Sequence, residues 1–420
     1  MSNTINYGNL LLSLSDAIDL ASKVISCHQQ RVAYISWEIS KAANLSQKLS
    51  KDIFIASLLH DAGAITVEEK ISINNFDSVN TEPHCIKGKI LLSRIPKFRN
   101  LANMIRHHHT PWKDLNKPIS NDETIGSQII FLADYIERLI DRENFILHQT
   151  DNIINNIREL SGNSVHPDLI DSFISISNRE EFWLDLNSRR LYSILFKYGP
   201  LQNEEIDYEN IELISMFFRD IIDFKSPFTA THTSGVAAAA EKLSAFFGLS
   251  EIEIQEMKIA GNFHDLGKLA IPNNILDKPG KLTKDEYSLI KSHTYYTYTV
   301  MSTISGWEKI AEWAAFHHEK LDGSGYPFHC DSSNMSTGSR IMAVADVFTA
   351  LSEDRPYRDG LPKDKIISIL QDMVQNNAID KNMVSLLIDN YSEIEKYVKV
   401  KQQQASEFYK SRIEKINENI

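Results

Sequence analysis

The pair His-Asp, followed one residue later by glycine, is written twice in this chain, in "LLHDAGAI" (58–65) and in "NFHDLGKLAI" (262–271). An imidazole beside a carboxylate is a ready pair of metal ligands, and more donors of both kinds surround each copy. With His264 and Asp265 go His232, His293, His317, His318 and Asp346; with His60 and Asp61 go His28, His84, His108, His109 and Asp134. A single histidine on an apolar stripe is usually a satisfied core residue. Seven donors on apolar faces are different, because burying them all without a shared cation is costly. One ion takes three or four protein ligands, so seven suggest two ions bridged by a carboxylate, and the absence of thiolate suits iron or manganese better than structural zinc. Such a pair acidifies water toward hydroxide and holds the non-bridging oxygens of a phosphoryl group during in-line attack.

The two sets are copies of one another. At an offset of 204, His28 falls on His232, His60 on His264 and Asp61 on Asp265. At 209, His84 meets His293 and His108-His109 meets His317-His318; at 212, Asp134 meets Asp346. At 214, "NSVHPDLI" (163–170) lies over "NAIDKNMV" (377–384). Histidine is too rare here for five ordered matches to be chance, so the chain is a duplication with insertions in its second half. Both copies read as helical: His28, Val32, Ile35 and Ile39, like His232, Val236, Leu243 and Phe247, keep helix spacing. "SEIE" (250–253) is a capping box, and Gly267 is read as a helix stop. The fold class is all-α, two helical bundles in tandem. Residues 1–176 form the first, 177–209 a helical connector, 210–395 the second, and 396–420 a polar, fraying terminal helix.

A hydrophobic share of 42% and a charged share of 24% are ordinary for a globular chain, and the net charge of −12 argues against a DNA-binding face. No apolar run reaches the roughly 18 residues that cross a bilayer, and the start "MSNTINYGNLLLSLSD" has no basic region or cleavage site. Three scattered cysteines fit a reducing compartment. A cytoplasmic protein without membrane or DNA partners is the expectation.

The elements "HDLGK", "HHEKLDGSGYP" and "ADVFTALSEDRPYR" resemble the HD-GYP subgroup of HD-domain phosphohydrolases over about residues 210–390. The resemblance implies tandem HD-type bundles and a di- or trinuclear metal centre. It also implies hydrolysis of bacterial cyclic dinucleotides, cyclic di-GMP or 3′,3′-cyclic GMP–AMP, to linear dinucleotides in second-messenger signalling. It assigns Asp265 as the bridging ligand, His232, His264 and Asp346 to one ion, and His293, His317 and His318 to the other. Phe228 stands where trinuclear members carry a glutamate, so two ions are expected. Lys268 is expected to meet charge on the phosphoryl oxygens, with Arg340, Arg355 and Arg358 as further phosphate contacts. Gly323, Gly325 and Tyr326 frame the substrate. Thr349 stands where many members carry an aspartate, and Tyr295, Tyr296 and Tyr298 are read as packing rather than as base-stacking residues.

In the first copy every ligand of the second is matched, while Lys268 becomes Ala64, Arg340 becomes Gln128, and "HHTPWKDLN" replaces the GYP segment. That copy is therefore expected to hold metal but to be a regulatory or structural module. Rival readings are a catalytically silent binding or scaffold protein, and an HD nucleotidase or (p)ppGpp hydrolase; the GYP segment and paired arginines weigh against the latter. The helical connector suits a homodimer, and the first bundle or the GYP surface suits signalling partners.

Overall fold

The computed structural model describes residues 4–20, 26–74, 80–226, 231–354 and 359–418. Arg355, Arg358 and Phe228 lie outside the described residues. The chain is helical as expected; among the described residues its only strands are Thr4–Asn6 and Glu205–Asp207, paired with each other. It divides into two compact units, 2–206 and 207–417.

The units repeat one helix order. In the first, His28–Ala42, Gln47–Leu58, Glu82–Ser93 and Asp122–Arg138 carry the repeated positions. Their counterparts are His232–Phe247, Glu251–Phe263, Lys284–Met301 and Thr337–Ser352. Local chemistry sets the starts. Ser46 accepts a hydrogen bond from the Leu49 amide, and Ser250 with Glu253 forms the reciprocal capping box read from the sequence. The last helix of each set is buried along the stripe that bears the late aspartate. Asp134 sits one turn after Ile130 and Asp346 one turn after Met342, both fully buried, so each carboxylate is carried inward by its neighbours' burial.

Of residues 177–209, expected as a connector, 177–206 belong to the first unit and 207–209 to the second. Glu180–Leu186 buries Phe182 and Trp183; Phe182 stacks on Tyr34 at 5.7 Å, and the Trp183 indole donates to the Ser177 carbonyl. Those aromatics find their partners within 2–206. The polar terminal helix also differs from expectation. Tyr391–Glu418 is one helix that runs back along its own unit, with Val398 buried, Tyr409 against Phe224 at 5.2 Å, and Tyr397 donating to Glu241.

Gly267 is not a left-handed helix stop. A Cβ there would lie 1.9 Å from the His293 carbonyl oxygen, and at Gly63 it would lie 2.0 Å from that of His84. In both units the glycine after the His-Asp pair lets the backbone of the following long helix touch the pair.

Candidate metal centre

In the second unit all seven expected ligands converge. His232, His264 and Asp346 form one group with donor atoms within 4.8 Å of one another; His293, His317 and His318 form another; His264, Asp265 and His317 overlap both. His317 and His318 lie in a tight turn, Phe316–His318, directly after the Glu308–Ala315 helix, which lets adjacent side chains serve one site. Nδ1 of His264, His293 and His317 each faces the carbonyl three residues earlier, at 2.8, 2.6 and 2.7 Å. Donation from Nδ1 leaves the Nε2 lone pair aimed at the centre. Asp265 Oδ1 lies 3.4 Å from His293 Nε2 and, like His264 Nε2, is buried with no hydrogen-bond partner. Orphaned buried donors and acceptors are expensive unless a cation completes them, and this set fits a divalent metal.

The charges agree. Burial drives the imidazole of His293 down to about 3 and that of His318 to about 4, and His317 falls well below its usual range. These three imidazoles are neutral at pH 7. Burial also opposes a charged His232, yet Glu353 and Asp346 outweigh it and raise its pKa to about 10; its Nδ1 lies 3.1 Å from Glu353 Oε1. Burial likewise works against an ionised Asp265, but His264 and Lys268 hold its carboxyl well below the usual carboxylate range.

The groups expected at the substrate divide. Lys268 is at the centre, its ammonium 2.6 Å from Asp265 Oδ2. Tyr326 leans its ring on His318 at 5.0 Å. Gly323 has a positive φ of 76°, and a Cβ on Gly325 would lie 2.4 Å from Glu319 Cα, so both glycines are demanded by the loop's own path. Glu319 pins that loop, accepting the Phe328 and Cys330 amides at 2.7 and 3.0 Å. Arg340 is a correction. Its guanidinium donates to Asp380 at 2.9 Å and to the Met335 and Ser332 carbonyls, so it braces the cap of the Lys381–Asp389 helix instead of facing the ligands. Tyr298 packs on Phe316 and Phe328, as read from the sequence; Tyr295 stays half-exposed beside Phe328.

The first unit assembles its own seven. His28, His60 and Asp134 form one group, and Asp61, His84, His108 and His109 the other. His60 and His108 again turn Nδ1 to the carbonyl three residues back. Gln128, in place of Arg340, accepts the His166 amide at the corresponding helix cap, so this exchange swaps one brace for another and removes no phosphate contact. The expectation that this copy lacks positive charge is overturned as well. Arg138 lies 2.8 Å from Asp134, and Lys70 lines the same cavity with Asp19, Asp61 and Asp134. Both were missed because neither aligns with a cation of the second copy.

Four carboxylates behind the ligands were also missed. Glu137 holds His28 at 2.7 Å as Glu353 holds His232. Glu137 stands three residues after the late aspartate on the same helix, and Glu353 seven residues after it, just past its helix end, spacings that could have revealed them. Asp19 and Asp223 share the offset of 204; the first caps its ligand helix by accepting the Gln29 amide. Burial pushes both carboxyls up to about 7.

Two helical units, each with a His-Asp pair inside a converging His/Asp cluster, define an HD-domain metal-dependent phosphohydrolase. HD-domain patterns match residues 25–139 and 216–383. A 3′3′-cGAMP-specific phosphodiesterase (number 1) of Vibrio cholerae is 30% identical, aligned over 92% of this chain and 92% of its own. Another from that organism (number 3) is 26% identical over 93% and 97%. A cyclic di-GMP phosphodiesterase of Thermotoga maritima is 34% identical over 38% of this chain and 43% of its own. The crystal structure of a cyclic GMP-AMP specific phosphodiesterase of V. cholerae shares the fold, with a TM-score of 0.65 at 24% identity, covering 93% of this chain and 98% of that one. The chain belongs to the HD-GYP family of cyclic dinucleotide phosphodiesterases. No helix of the described residues is long and apolar enough to cross a membrane.

Proposed function

We propose that residues 210–395 hydrolyse one phosphodiester bond of a 3′,3′-cyclic dinucleotide, with 3′,3′-cyclic GMP–AMP preferred over cyclic di-GMP. The observation that carries the reading is the seven-donor centre with Lys268 at its edge. The substrate preference rests on which relatives align along the tandem. Two relatives with the GMP–AMP specificity align over 92% and 93% of the chain, whereas the cyclic di-GMP enzyme of T. maritima aligns over 38%.

His232, His264 and Asp346 would hold one divalent ion, His293, His317 and His318 a second, with Asp265 between them; iron or manganese fits donors of this softness. When bound, the ions supply Lewis-acid activation of water and of the phosphodiester. The rest is done by the chain. Neutral His293, His317 and His318 offer lone pairs without shedding protons at pH 7. Asp265 and Asp346 balance charge in a buried site. The Lys268 ammonium, one turn from the His-Asp pair and partly exposed, meets the charge that grows on the phosphoryl oxygens. Glu319 holds the loop that sets Tyr326 over His318, closing one side to water. Arg355 and Arg358 are kept as phosphate contacts on family grounds. The first unit serves a structural or regulatory role, and the three free cysteines suit a cytoplasmic setting.

The test is hydrolysis of both dinucleotides by protein loaded with Fe²⁺ or Mn²⁺. Linear dinucleotide formed faster from the GMP–AMP hybrid, and lost in Asp265→Ala, is the expected result. A faster rate on cyclic di-GMP reverses the preference. No turnover with either substrate overturns the reading.

A further inference from the structure

The two halves of the first unit's cluster are not equivalent. In one half, Asp61 Oδ1 is buried without a hydrogen-bond partner, 3.7 Å from His84 Nε2. His84 Nε2 lies 3.2 Å from His108 Nε2, whose ring is fixed through Nδ1 at 2.6 Å from the Ile105 carbonyl oxygen. His109 Nε2 is also buried and unpartnered. Asp61, His84, His108 and His109 thus offer four donor atoms mutually within 4.8 Å, with three imidazoles around one carboxylate oxygen.

The other half is already neutralised. Asp134 Oδ2, also buried without a hydrogen-bond partner, forms an ion pair with the Arg138 guanidinium at 2.8 Å, and the same guanidinium donates to the Ile73 carbonyl at 2.9 Å, which fixes it in place. Its counterpart in the second unit is Ala350, and among the described residues Asp346 lies 3.1 Å from His232 and 3.8 Å from His318 and groups with His264. A guanidinium stays charged at every working pH, and it sits on the carboxylate that a second ion would need. Lys70 adds another buried cation to this side, its ammonium donating to the Ile18 carbonyl. The cavity between them has a volume of only about 10 Å³, far below the roughly 300–1,000 Å³ of a small-molecule pocket.

We propose that the first unit holds a single divalent transition-metal ion on Asp61, His84, His108 and His109, with the Arg138 guanidinium standing where the second unit places its other ion. With Arg138 in place of a second ion, the site lacks the metal pair that would activate water and hold a phosphodiester, so this ion braces the fold. The proposal does not depend on what the second unit hydrolyses.

Metal content of the full chain tests it. In a background of His264→Ala, Asp265→Ala and His293→Ala, which strips the second centre, protein loaded with Co²⁺ and desalted is expected to retain one ion per chain. Adding His84→Ala and His108→Ala should remove it, Asp134→Asn should leave it, and Arg138→Ala should raise the count to two. Two ions in the background, none, or loss on Asp134→Asn with retention on His84→Ala would overturn the proposal. Should the double histidine variant fail to fold, a Co²⁺ titration of the background decides by its visible absorption. Saturation of an intense four-coordinate band at one equivalent supports the site, and saturation at two or no band sinks it.

Discussion

The two units carry the same seven donors and differ in where a cation meets them. In the second, a lysine reaches the shared aspartate from a partly exposed position; in the first, a buried arginine is locked onto the late aspartate. Lys268 hangs on a flexible stem and can exchange its carboxylate for a phosphoryl oxygen. Arg138, held by Asp134 and by a backbone carbonyl, cannot leave without unpairing a buried charge. Ligand identity alone therefore does not separate a catalytic HD centre from a braced one. The mobility of the nearest positive charge does.

That contrast can be broken by experiment. The largest effect is expected from the shared aspartates: Asp265→Ala should lower turnover by at least ~10³-fold, since it removes the bridging ligand. Asp61→Ala should leave the rate of the folded protein within a few-fold; equal losses would make the first unit catalytic. Next comes the mobile cation. Lys268→Ala is expected to cut kcat by about 10²-fold with metal content unchanged, whereas Ala64→Lys in the first unit should create no activity. Mass-spectrometric metal counts beside steady-state rates separate these outcomes. Weaker still is the carboxylate behind the ligand. Glu353→Gln should reduce metal affinity by roughly 10-fold, read by competition with a chelating dye, because the His232 ring loses its partner.

A last effect, on stability and not on activity, tests where the units agree. Asp19 and Asp223 have carboxyls raised to about 7 by burial. The folded state then binds their protons more tightly than the unfolded chain, so their contribution to stability is fully present below about pH 4 and is lost as pH rises toward 7. Chelator-treated protein should lose roughly 2 kcal/mol per site over that window, about half of what such a shift yields at 1.36 kcal/mol per unit. Asp19→Asn and Asp223→Asn should each flatten the melting profile between pH 4 and 7. A flat profile in the parent would show that neither carboxyl is perturbed.

The duplication, the helical class and all fourteen donors were legible because histidines are rare and the offsets drift in one direction only. Ser250 and Glu253 announced their helix start through chemistry confined to four residues. What escaped depended on partners far along the chain. Arg340 reads as a phosphate contact until Asp380, forty residues on, claims it. Phe182 and Trp183 read as connector until Tyr34 and Phe173 cover them. Arg138 escaped for another reason: Ala350 holds its place in the second copy, so no exchanged cation marks it.

One contact ties the end of the chain to its chemistry. Glu353, which holds His232, itself accepts a hydrogen bond from Gln402 at 3.5 Å, on the helix first read as a fraying tail. All seven expected donors therefore precede in the chain the residue that steadies Glu353, Gln402, which lies 56 residues beyond Asp346. A chain cut before residue 402 can hold the full donor set and still lack this support.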